Sequence, residues 1–134
     1  MKFLLNSLID FLEIEVAKWT DEEIKNVKFY IDEVADPLLE GVILRHDPSQ
    51  AKTREFVDGT VLQFYSIGFY SRFSEKKNSR IILDTIAQTL DGLQLETETA
   101  LLIMEVTTQT NFAYTDDNDR SIYNFSLAIE SRKK

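Results

Sequence analysis

His46 is the single histidine of a 134-residue chain that has no cysteine, which removes cysteine nucleophiles and thiolate zinc sites and leaves one imidazole. A catalytic triad needs a base beside its nucleophile, and a zinc site needs several imidazoles or thiolates. The chain contains no G-x-S-x-G, no H-E-x-x-H and no second imidazole. His46 is therefore expected in a structural or surface role. The stretch TDDNDR, with Asp116, Asp117 and Asp119, resembles an acidic calcium loop in composition. It lacks the glycine at position six and the distal bidentate glutamate that such loops use, so a solvated hairpin tip is expected there. Carboxylates are plentiful, yet nothing singles out two of them as an acid/base pair, and the four glycines form no phosphate-cradling pattern. The expectation is a protein with no catalytic residue, no cofactor and no metal.

The elements that would position these residues follow from periodicity. Leu4, Leu5, Leu8, Phe11, Leu12 and Val16 recur at spacings of three and four, which predicts an amphipathic helix. Asn6, Ser7, Asp10, Glu13 and Glu15 interrupt its apolar run, so it is expected to be a helix of the mature protein and not a signal peptide. Thr20 and Glu23 form a possible capping box for a short second helix. A strand around Phe29 and Ile31 then ends at Asp36-Pro37, and another spans Val42 to Arg45 and closes at the turn pair Asp47-Pro48. The polar stretch from Ser49 to Glu55 is expected to be a mobile loop.

After the turn signal Asp58-Gly59 comes the longest expected strand, which includes LQFYSIGFYSRF, residues 62 to 73. It places Val61, Tyr65, Ile67, Phe69 and Phe73 on one face and Leu62, Phe64, Gly68, Tyr70 and Arg72 on the other. Next is a helix, NSRIILDTIAQTLDGL, capped by Asn78 or Ser79, with Ile82, Ile86 and Leu90 in line and Gly92 at its left-handed end. ALLIMEVTT and SIYNFSLAIES close the chain as an antiparallel hairpin whose long loop is QTNFAYTDDNDR; Tyr123, Phe125, Leu127 and Ile129 form its buried face. The tally predicts a single α+β domain over residues 1–134. In it a mainly antiparallel sheet of about five strands carries two main helices on one face.

Composition sets the wider limits. A chain this long buries roughly 68% of its unfolded surface, enough for a core. Its 43% hydrophobic and 28% charged content belongs to an ordinary globular protein. The net charge of −8 repels phosphate backbones, which disfavours sequence-specific DNA binding and suits a DNA mimic or a surface past which DNA slides. Absence of cysteine is neutral between a reducing cytoplasm and an assembled particle. No apolar run reaches the ~18 residues of a membrane span.

The aromatic strand is first of all a core builder, because Phe and Tyr favour half-buried pleated surfaces. Its second face leaves Leu62, Phe64 and Tyr70 to water unless something covers them, and such patches mark interfaces or ligands. Its length allows part of it to project beyond the sheet and pair with a neighbour. Self-association is expected.

The order of elements resembles the tail-terminator or minor capsid proteins of long-tailed, siphovirus-like phages and prophages of Gram-positive bacteria. The resemblance spans almost the whole chain: an N-terminal helix, a strand ending near VADP, DGTVLQFYSIGFYSRF feeding NSRIILDTIAQTLDG, then MEVTTQTNFAYTDDNDRSIYNFSLAIES. Its most specific part combines an aromatic strand with an arginine near its end, a helix of some fifteen residues and a final Y-x-F-S-L strand. The resemblance implies a structural virion protein, made in the host cytoplasm and placed at the head-tail junction. There it caps the tail tube as a ring, typically hexameric in that family, and offers the docking surface for the head connector. Implied partners are other copies of the chain, the tail tube protein and the head-completion or connector protein, with DNA only passing through and no membrane. On that basis Tyr70, Arg72 and Phe73 are the candidate subunit interface. His46, Gln50, Lys52 and Arg54, together with Asp116, Asp117 and Asp119, are candidate docking-loop residues. Two rivals stand beside this: an acidic inhibitor or immunity-type protein that blocks a basic partner, and a small-ligand-binding α+β domain with Tyr65, Phe69 and Trp19 lining a cavity.

Overall fold

A computed structural model of the protein describes residues 2–19, 27–31, 40–55, 61–74 and 76–133. The fold is α+β. Its order is α1 (Lys2–Val16), β1 (Phe29–Ile31), β2 (Gly41–Glu55), β3 (Val61–Arg72), α2 (Lys76–Leu90), β4 (Gln94–Glu96), β5 (Ala100–Thr115) and β6 (Ser121–Lys133). The strands form one mixed sheet in the order β1-β2-β3-β6-β5-β4, so β3 and β6 lie at its centre. All pairings are antiparallel except β1 with β2, which is parallel. The expected sheet of about five strands thus gains a sixth, β4, and a parallel edge. Three residues of QLE are too few to carry a periodic signal.

Both helices bury their apolar stripes against one alternating set of strand residues. Leu5, Leu8, Leu12 and Val16 of α1 and Ile82, Leu83, Ile86 and Leu90 of α2 share a core with Val42, Leu44, Ile67, Phe69, Met104, Phe125, Leu127 and Ile129. Phe69 pairs with Phe125 in register, and their rings stack with centroids 4.7 Å apart. A strand set of period two meeting helix sets of period 3.6 is what makes this a helix-on-sheet layer. α2 ends as its sequence predicts: Gly92 has φ 77°, and its N–H donates to the Met104 carbonyl of β5. Its start differs, because the helix already includes Lys76, which places Asn78 and Ser79 in the first turn instead of at the cap.

Two expected loops are strand. β2 continues through Asp47-Pro48 to Glu55, so Ser49 to Glu55 is not a loop. Asp47 pairs with Ser66 and Lys52 with Phe64, so β2 advances five residues while β3 advances two. That bulge leaves room for a proline, which cannot donate to a regular ladder. Likewise β5 runs unbroken from Ala100 to Thr115, and the hairpin loop shortens to residues 116–120. The Thr20–Glu23 capping box, Asp36-Pro37 and Asp58-Gly59 lie outside the described residues.

Candidate subunit-contact surface

β3 is paired on both sides, with β2 from Val61 to Arg72 and with β6 from Leu62 to Ser71. Its backbone therefore has no free stretch with which to pair a neighbour, and the expectation that it projects beyond the sheet is corrected. What β3 offers is side chains on the face away from the helices. Across that face Ile43, Tyr70 and Asn124 stand in register on β2, β3 and β6. One step along, Arg72 lies near Ile122, which pairs with Tyr114 of β5.

These residues line a groove of about 300 Å³. Its apolar residues Ile43 and Ile122 are 4% and 2% exposed. Around them stand the rings of Tyr70 and Tyr114 and the arginines Arg45 and Arg72. Asn124 adds a buried side-chain oxygen with no hydrogen-bond partner. Gly68 makes the Tyr70 position possible, since a Cβ there would come within 2.9 Å of the Tyr70 ring. The face is less open than the sequence implies: Leu62 is buried and Phe64 and Tyr70 are half-buried. Rings and guanidinium groups over an apolar floor form the composition that dominates protein-contact hot spots.

The sequence-derived interface residues separate. Tyr70 and Arg72 meet in the groove, whereas Phe73 packs partly buried against the core. Of the docking residues, His46 is half-buried on the helix side of β2, 6.0 Å from the Tyr65 ring, with its Nε2 buried and without a partner. Gln50, Lys52 and Arg54 belong to strand β2, not to a loop. Asp117 and Asp119 are exposed at the β5–β6 tip, as expected.

Asp116 is different from its neighbours. Its carboxylate accepts the backbone N–H groups of Asn118 and Arg120 and the Arg120 Nε–H at 2.9 Å, with Arg120 Nη2 also 2.9 Å away. Burial pushes this carboxyl upward, but those N–H groups and the guanidinium charge together hold it below the usual carboxylate range. Arg120 is 6% exposed, so the tip is clasped and not a freely solvated loop. Glu40, just before β2, is hydrogen-bonded by the hydroxyl and backbone N–H of Ser74, just after β3. Those bonds, opposed by burial and assisted by the Arg120 charge, hold its carboxyl below the usual range as well. Arg120 thus links the tip electrostatically to the β2–β3 end.

Among the described residues no group of three or more His, Asp or Glu side chains could hold a metal ion, and no helix is long and apolar enough to cross a membrane. Of the residues expected to line a cavity, Phe69 is fully buried in its stack with Phe125, and Tyr65 and Trp19 are half-buried against the core.

Sequence reasoning missed Ile43, Arg45, Tyr114 and Ile122 as groove residues. The signal for Tyr114 was present in the β-forming run from Thr107 to Tyr114, masked by its polar Gln109 and Asn111. No protein-family model matches the chain, and no curated protein is detectably similar to it.

Proposed function

We propose that this protein is a structural component of a long-tailed phage particle that closes the tail tube as a ring of identical subunits, on which the head connector docks. The observation that carries the reading is the groove opposite the helices, where Tyr70, Arg72 and Tyr114 surround the apolar floor of Ile43 and Ile122. Its rings and arginines over an apolar floor are of the kind that supports protein contact. The element order along the chain, which resembles tail terminators, supplies the ring and its neighbours: the tube protein on one side and the connector protein on the other. An acidic balance of −8 suits a channel through which DNA passes without adhering.

In this reading Arg72 meets a carboxylate of the adjoining subunit, and its charge makes ring closure directional. Purified protein added to tails from a lysate that lacks it should restore joining to filled heads. Arg72→Glu should fail to do so while its far-UV circular dichroism and melting temperature stay near those of the parent. Equal joining by Arg72→Glu would remove the groove from the ring contact.

A further inference from the structure

Beyond β4, the outer edge of β5 has no strand beside it among the described residues. β4 pairs only with Leu101–Ile103, and the bonds of Leu93 and Asp91 carry that cover to Met104 and Val106. From Thr107 to Thr115 every residue is exposed except the half-buried Thr110 and Ala113. Edges of this kind are normally blunted by charge, proline or bulges; Val106 to Thr115 contains no charge and no proline, and only its register shifts at Val106/Thr108, Thr108/Asn111 and Phe112/Tyr114 act in that direction. Among the described residues, two of the three exposed large hydrophobic side chains, Phe112 and Tyr114, each 53% exposed, lie on this short stretch.

The same edge has a hole next to its knob. Phe112 pairs with Tyr123 and contacts its ring edge-on, which places it on the helix side of the sheet. On that side a groove of about 350 Å³ runs between α2 and β5, where the apolar Ala87 and Val106 lie with the charged Arg80, Asp84 and Asp91 and the polar Gln109. The Thr110 hydroxyl is buried there without a partner.

We propose that β5 is a self-association edge, at which two copies of this chain pair antiparallel through Thr107–Thr115. A two-fold axis normal to the sheet keeps the helices of both copies on one side. Phe112 of each copy then enters the α2–β5 groove of the other, opposite Thr110 and beside Gln109. Two observations favour a second copy over an unrelated strand. The knob and the hole lie on one edge, so a two-fold satisfies both at once. The paired stretch itself carries no charge, so two chains of net charge −8 place no like charges opposite each other along the ladder. Two paired strands and two rings bury an area at the low end of specific interfaces, below about 1,200 Å², so association is in the micromolar range or weaker. The proposal concerns the free protein and is independent of the tail reading.

Sedimentation velocity from low micromolar to near-millimolar protein is the test, on the parent chain, Phe112→Ser, Gln109→Lys and Ile14→Ser. Ile14 is the third exposed large hydrophobic residue and lies on α1, away from this edge. The expected result is a concentration-dependent dimer that Phe112→Ser and Gln109→Lys each weaken at least about tenfold, with Ile14→Ser unchanged. Gln109→Lys is an exposed substitution that keeps the inference testable if Phe112→Ser disturbs the hairpin. A monomer at every concentration, a dimer indifferent to both edge variants, or a larger ring without a dimer would overturn the proposal.

Discussion

At the scale of single residues, the sharpest behaviour belongs to the Asp116–Arg120 clasp. Both partners are mostly buried, with side chains 16% and 7% exposed, and charge-assisted hydrogen bonds of this kind contribute more than neutral ones. Arg120→Ala should lower stability by about 1–3 kcal/mol, measured by urea unfolding. Because the folded carboxyl of Asp116 is depressed relative to the unfolded chain, its contribution is fully present above the unfolded value of about 4 and fades as pH falls through the folded one. The same sign holds for Glu40. Asp116→Asn should therefore unfold with a shallower dependence on pH on the acid side than the parent; identical acid limbs in thermal melts would contradict this. Gly41 is a second residue-scale test. A Cβ there would come 2.6 Å from the Lys28 carbonyl and 2.7 Å from the Tyr30 ring. Gly41→Ala should cost about 1–3 kcal/mol through overpacking where β1 meets β2.

At the scale of elements, stability concentrates in the central strands. Phe69 and Phe125 are fully buried and stacked, so Phe69→Ala should cost about 3–5 kcal/mol, a large part of an ordinary domain's margin. Calorimetry would check it. The strands and helices that were legible in the sequence are those whose period is unbroken. Alternation in β6 from Tyr123 to Ile129 and the four-residue repeat of Ile82, Ile86 and Leu90 both point to the residues that are buried. The missed elements have broken periods for identifiable reasons. In β2 the bulge between Asp47 and Lys52 holds Pro48, which on its own reads as a turn. In β5 three register shifts scramble alternation across Gln109 to Tyr114. Half of the candidate site was legible for the same reason. Tyr70 and Arg72 sit on the regular part of β3, while their groove partner Tyr114 sits on the bulged part of β5. The register that sets Ile43 beside Tyr70 is a long-range pairing, which no local pattern encodes.

At the scale of the whole molecule, the sheet separates three surfaces. The helix side is core, the opposite face carries the ring-and-arginine groove, and the β5 edge is open and uncharged among the described residues. Under the proposed reading, the groove and the edge are the two surfaces through which this acidic protein assembles. The central claim, that it closes phage tails and prepares them for heads, is tested most directly by negative-stain electron microscopy of lysates from the encoding phage or prophage with this gene deleted. The account predicts filled heads lying apart from headless tails of irregular or excessive length. Normal, joined particles with tails of uniform length would contradict it.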